Sequence, residues 1–300
     1  MRYQSFPSED PERQETTRER AKRQRRERRE ELKYTPEDYR RWAANRERVI
    51  AERKADKIAA NSNDEMDKKW LNVPKGQLTF DSEGNDIDSS PYFTRVPHLP
   101  HNDGTVIGDS GITFGRGLDI GKRTSNEIEQ LFANIAKHCK PISGRLLKWL
   151  KNGAGKTKRA AFEHYKQLNA SVPIEEQILT RKQQHFLFLE IYPWYESETK
   201  RLVTKADVRA AYDQEHIIVW EELPENVRDV LVDLTYRGDN TGSDDPKGST
   251  RAWFIPALAY DTENNLTGTS SSFYRVMRSN KWLERDVDIN RFEKRREHLQ

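Results

Sequence analysis

Apolar residues recur at three- and four-residue spacing through most of the second half of this chain, and they are sparse in its first 34 residues. That period predicts helices over residues 157–168, 181–203 and 224–236, the last opening with Leu223-Pro224. Two further helices are read near 251–261 and 271–298. Thr124-Ser125-Asn126-Glu127 has the form of a capping box and leads into Ile128, Leu131, Phe132 and Ile135. Residues 145–151 carry Leu146, Leu147, Trp149 and Leu150, with Gly153 as a stop. Nearer the N-terminus, Thr35 as N-cap, Pro36 at the first position, and Glu37 and Asp38 in the first turn predict a helix to about Ala60. Its apolar stripe is thin, which suits weak docking or a partner. Residues 77–121 interrupt the helical period with Gly, Pro and Asp and read as loop and strand. The pattern therefore predicts an α+β fold: a charged arm over 1–68, then a 69–300 domain with a small β-containing lobe followed by a mainly helical one.

Within the interruption, Ser110-Gly111-Ile112-Thr113-Phe114-Gly115-Arg116-Gly117-Leu118-Asp119-Ile120-Gly121 alternates glycines with apolar residues. In an extended strand Thr113 and Asp119, an even number of positions apart, share one face. Gly115 and Gly117 would lie on that face too and leave it bare, so that a ligand could approach the backbone between two polar groups.

Charge alters this picture only at the N-terminus. Residues 1–60 hold 18 Lys/Arg and 13 Asp/Glu, leaving 34 basic and 36 acidic residues in the rest. The pI of about 8.7 thus belongs to the arm. A mean hydropathy of −1.01 is too polar for a uniformly packed globule and fits an arm without a core. Arg23-Gln24-Arg25-Arg26-Glu27-Arg28-Arg29 could attract nucleic acid, but the interspersed glutamates favour a solvated helix, and no nucleic-acid partner is expected. The single cysteine, Cys139, excludes an internal disulfide and a Cys-based zinc cluster. No apolar run reaches the roughly 18–20 residues of a membrane span, and no signal-peptide apolar region is read at the N-terminus.

Several residues could carry chemistry. Glu83, beside Gly84 and after Leu78 and Phe80, could be a carboxylic acid whose pKa is raised by apolar neighbours, or a surface glutamate in a polar turn. Asp119 and Thr113 could activate and orient a water, or be ordinary residues of a Gly-rich hairpin. Arg116 could reach a bound saccharide or stay exposed and idle. Tyr236 and Arg237, opening Tyr236-Arg237-Gly238-Asp239-Asn240, could line a cleft or end a helix. Ala154-Gly155-Lys156-Thr157 is not a phosphate loop, because Leu150 stands where the first glycine is needed. His98 and His101 bracket Pro100 without an obvious third ligand, so packing or hydrogen bonding is favoured over a metal. The acidic 239–245 segment lacks the EF-hand pattern.

Taken in order, Phe80-Asp81-Ser82-Glu83-Gly84-Asn85-Asp86-Ile87, Ser90-Pro91-Tyr92, His98-Leu99-Pro100 and the Thr113-x-Gly-x-Gly-x-Asp119 segment form a series. It resembles the pesticin-like muramidases, related to phage-type lysozymes and found as toxin domains in bacteriocins and type VI secretion effectors. Asp233-Leu234-Thr235-Tyr236-Arg237-Gly238-Asp239 and Asn290-Arg291-Phe292-Glu293-Lys294-Arg295-Arg296 extend the likeness over about 70–300. The resemblance implies a lysozyme-like fold and hydrolysis of the β-1,4 bond between N-acetylmuramic acid and N-acetylglucosamine in peptidoglycan. It implies Glu83 as general acid, Thr113 and Asp119 as the water-holding pair, and Arg116, Tyr236 and Arg237 as substrate contacts. No cofactor is expected. Synthesis without a signal peptide and action in the periplasm of a target cell are expected, with an immunity protein and a secretion component docked by the arm as partners. A phage-type endolysin and a non-catalytic peptidoglycan-binding module remain open.

Overall fold

The computed structural model describes residues 46–49, 64–102, 105–106 and 108–300. The chain divides into two units, Met1–Ala59 and Ala60–Gln300. In the first, residues 46–49 are helical; the remainder of the helix expected over 35–60 lies outside the described residues, as does the Arg-rich segment. The second unit starts ahead of the 68/69 boundary. Short 3-10 turns at Asp64–Met66 and Lys68–Leu71 already belong to it, with Lys182 Nζ 2.6 Å from Asp64 and Arg181 donating to the Met66 carbonyl at 2.7 Å.

The second unit is mainly helical, with two small antiparallel hairpins near its beginning, an α+β arrangement. Its elements are α1 (Gln77–Ser82), β1 (His101–Asn102), β2 (Thr105–Val106), β3 (Thr113–Phe114), β4 (Leu118–Asp119), α2 (Ser125–Ile135), α3 (Gly144–Gly153), α4 (Lys158–Tyr165) and α5 (Leu168–Ser171). There follow α6 (Arg181–Thr204), α7 (Ala206–Tyr212), α8 (Glu225–Arg237), α9 (Arg251–Asn264), α10 (Ser272–Met277), α11 (Lys281–Glu284) and α12 (Ile289–His298). The expected capping box forms at α2: Glu127 N–H donates to the Thr124 hydroxyl and Thr124 N–H to the Glu127 carboxylate. Thr180 and Gln183 cap α6 in the same way.

Two expectations are corrected. Residues 77–82, read within a loop-and-strand region, form α1, because Leu78 and Phe80 bury their side chains within one short turn of helix. Residues 271–298, read as one helix, form three. Asp286 turns left-handed at φ 62°, and the Asp288 carboxylate then caps a new helix by accepting from the amides of Asn290 and Arg291.

Two apolar cores lie on either side of α6, which at 24 residues is roughly 36 Å long. Leu187 and Ile191 join Ile112, Phe114, Leu118, Ile128, Phe132 and Leu150 in the first. Phe188 and Tyr192, one position further round, join Phe80, Leu231, Phe254 and Trp282 in the second. Phe80 is completely buried against Phe188, a burial that stabilises by about 1.5–3 kcal/mol and anchors the chain just before Glu83. Tyr236 packs against both cores. No helix among the described residues is long and apolar enough to cross a membrane.

Candidate active site

The run from Thr113 to Asp119 is a hairpin and not a single extended strand. Phe114 pairs with Leu118 and Thr113 with Asp119, while Gly115 (φ 62°) and Gly117 (φ 96°) make the reversal in a backbone region that favours glycine. Thr113 and Asp119 still share a face, but by direct cross-strand pairing. The Thr113 amide and carbonyl both turn the other way, to the carbonyl and amide of His98 at 2.7 and 2.8 Å. The Thr113/Asp119 pair is therefore the non-hydrogen-bonded kind, in which side chains come closest. Ile112, Phe114, Leu118 and Ile120 occupy the opposite face and are buried. Nor is the glycine face open to a ligand. A Cβ on Gly117 would enter the Tyr236 ring, and one on Gly115 would meet Leu187.

The Asp119 side chain is held firmly. Its Oδ1 accepts from the amides of Gly111 at 3.1 Å and Gly121 at 2.9 Å, and Oδ2 faces Lys122 Nζ at 3.9 Å. With Oδ1 committed to backbone and the side chain 14% exposed, Oδ2 is the oxygen left for a water.

Glu83 sits immediately after α1, its amide closing the helix onto the Thr79 carbonyl. The loop around it is clamped by Arg116. That residue is not a surface arginine: it is 4% exposed, lies 4.1 Å over the Phe80 ring, and donates to the carbonyls of Phe80 and, at 2.7 Å, Gly84. Burial lowers its pKa to about 10. Arg116 thus ties the hairpin tip to the segment that presents Glu83, which corrects its expected role as an exposed saccharide contact.

The Glu83 carboxyl is one-fifth exposed, with Oε1 2.7 Å from Arg291 Nη1. Burial raises its pKa, Arg291 opposes the rise, and the buried negative charge of Asp233 adds to it; the net position is above the ordinary value. Arg291 also grips Asp233, with Nε at 3.0 Å and Nη2 at 2.6 Å. Arg295, one helical turn on, places Nε 2.6 Å from Asp233 and Nη1 2.8 Å from Asp239, which in turn pairs with Arg237. Three acids and three arginines alternate from Glu83 to Arg237. Burial alone would push Asp233 up, but Arg295 and Arg291 outweigh it and hold the carboxylate at about 2.

A cleft of about 490 Å³ opens beside this chain of charges, and Asp119, Tyr236 and Arg237 are among its lining residues. Tyr195 and Tyr236 stack at 3.9 Å between centroids, and the Tyr236 hydroxyl donates to the Arg116 carbonyl at 2.6 Å. Burial pushes the Tyr195 phenol up to about 12, helped by the Glu83 and Asp119 carboxylates and opposed by Arg123. Burial also raises Tyr236 well above its ordinary value, with Tyr195 and Glu83 contributing. Glu83 thus bears on both rings and Asp119 on Tyr195 alone. Trp194, half exposed, supplies an apolar plate on the cleft wall, with Arg123 5.2 Å from its ring. Glu83, Thr113 and Arg116 stand outside the cleft lining itself.

Of the six residues expected to meet at one cleft, Asp119, Tyr236 and Arg237 line this one and Glu83, Thr113 and Arg116 do not, while Asp233, Arg291, Arg295, Trp194 and Tyr195 had no expected role. A signal existed for Asp233, a carboxylate inside the apolar run Val230-Leu231-Val232-Asp233-Leu234, and for Arg291 and Arg295, one turn apart on a polar helix. Among the described residues no group of three or more His, Cys, Asp or Glu is placed to hold a metal.

No curated protein matches the chain. A family described as a domain of unknown function (DUF8812) matches residues 76–296, a span that contains every candidate residue from Glu83 to Arg295. The chain belongs to that family.

Proposed function

We propose that the second unit is a muramidase of lysozyme-like fold that hydrolyses the β-1,4 bond between N-acetylmuramic acid and N-acetylglucosamine. The observation that supports this reading best is the unlike setting of two carboxyls, one largely enclosed against Arg291 and the other fixed by backbone amides in the cleft wall. One, Glu83, has a raised pKa; the other, Asp119, is locked by two backbone amides. Unlike environments for two carboxyls are what acid/base division of labour at a glycosidic bond requires. Arg291 occupies Glu83 Oε1, leaving Oε2 to carry the proton given to the leaving oxygen. A water held by Asp119 Oδ2 and the Thr113 hydroxyl attacks the anomeric carbon and passes its proton to Asp119. One water is consumed, and solvent returns both carboxyls to their starting states.

Within this reading Arg116 positions the Glu83 loop, while Tyr236, Arg237 and Trp194 line the sugar site. An antibacterial effector delivered to the periplasm of a target cell, docked for secretion by its N-terminal arm and countered by an immunity protein, is the setting we propose. Replacing Glu83 with Gln tests the chemistry. Release of reducing ends from purified peptidoglycan should fall at least about 100-fold, with wall binding and thermal midpoint retained. Wild-type binding without any release would favour a non-catalytic wall-binding module.

A further inference from the structure

Thr113 has a second neighbour on its face. His98 is its cross-strand partner on the side away from Asp119, joined by the reciprocal amide–carbonyl bonds at 2.7 and 2.8 Å. Directly opposed residues of an antiparallel pair project to the same face, so His98, Thr113 and Asp119 form one row across three strand segments. Leu99, next in the chain, turns to the core, as the alternation requires.

His98 Nδ1 is shut off from solvent and has no hydrogen-bond partner among the described residues. A buried polar atom without a partner forfeits its hydrogen bond to water and calls for a reason. The Thr113 hydroxyl, on the same face, also makes no bond within the described residues. Cβ atoms of opposed residues lie about 4.5–5.5 Å apart, which puts the hydroxyl within reach of Nδ1 by a turn about the Thr113 side-chain bond. Burial lowers the His98 pKa, outweighing the Val96 carbonyl that favours the charged ring, so the imidazole is neutral and keeps a lone pair to offer.

We propose that His98 is a positioning residue for Thr113: its Nδ1 accepts the Thr113 hydroxyl proton and so turns the hydroxyl lone pairs toward the water at Asp119. A threonine hydroxyl is a rotor with one proton and two acceptor sites, and the row offers that proton two acceptors, His98 Nδ1 on one side and Asp119 Oδ2 on the other. With the proton held by His98, the hydroxyl accepts from the water and leaves the water's other proton to Asp119. The catalytic consequence rests on the muramidase reading; the hydrogen bond does not.

The test uses the full chain and separates the two. Asparagine places a polar atom near the position of Nδ1, whereas glutamine places one nearer Nε2. His98→Asn should keep kcat within about 3-fold, and His98→Gln should lower it about 10-fold with KM within about 2-fold. In a Thr113→Val background His98→Gln should have no further effect, because the residue it acts through is gone. Equal losses from His98→Gln in both backgrounds, or no advantage of Asn over Gln, would overturn the proposal. Independently of activity, the 15N resonances of His98 should show Nε2 protonated and Nδ1 bare, and the Nδ1 signal should move in Thr113→Val. An unmoved Nδ1 signal overturns the pairing. If the wild type releases no reducing ends, the muramidase reading falls and this signal alone decides.

Discussion

Replacing Asp233 with Asn should damage both the fold and the tuning of the candidate acid. Asp233 is wholly buried in α8 and takes Arg291 Nε at 3.0 Å, Arg291 Nη2 at 2.6 Å and Arg295 Nε at 2.6 Å. Its pKa of about 2, against 3.8 for a free side chain, corresponds to about 2 kcal/mol of preference for the charged form. Removing one member of a buried ion network leaves its partners uncompensated and typically costs about 3–5 kcal/mol. For a unit of this size, where each kcal/mol is worth roughly 2–4 °C, the thermal midpoint should fall by roughly 6–20 °C. The wild-type contribution is present above the ordinary Asp pKa and is lost as pH falls toward about 2, so the gap between wild type and variant should narrow over that window. Arg291, relieved of Asp233, would then act on Glu83 alone. Since Asp233 helps raise Glu83 and Arg291 lowers it, the variant's Glu83 pKa should drop, and the basic limb of kcat/KM should move to lower pH. Thermal and urea unfolding measure the first effect and a pH–rate profile the second. A loss under about 1 kcal/mol, the scale of an exposed pair, would refute the energetic reasoning. A basic limb that stays put or rises would refute the coupling.

Gly117→Ala should destabilise by at least about 2 kcal/mol in urea unfolding, because φ is 96° and the new Cβ enters the Tyr236 ring. Asp119→Asn separates support from chemistry. The amide oxygen can still accept from Gly111 and Gly121, so the thermal midpoint should hold while turnover of peptidoglycan falls at least about 100-fold.

The helical lobe was legible because its signals are local. The Thr124–Glu127 capping box and the apolar stripes of α6, α8 and α9 are written within one or two turns of sequence. Helix α1 was not legible, since six residues carry too little periodicity and its reason for folding, Phe80 against Phe188, lies more than a hundred residues away. The second break in the C-terminal helical run depends on a left-handed Asp286 that apolar spacing does not report. At the site, the Thr113–Asp119 relation was visible from an even spacing, although the physical cause is a hairpin. Arg116 was misplaced because an arginine between two glycines looks exposed until the Phe80 and Gly84 carbonyls are brought to it. The Glu83–Arg291–Asp233–Arg295 chain joins three distant segments, and such long-range pairing has no local signature.

If Glu83 and Asp119 divide acid and base work on a glycosidic bond, the chemistry of the products must show which bond is cut. Peptidoglycan digested by the full chain should yield disaccharide-peptide fragments whose mass, before and after borohydride reduction, shows N-acetylmuramic acid at the reducing end. Fragments with N-acetylglucosamine at that end, cleavage within the peptide, or undigested wall would contradict the proposed reaction.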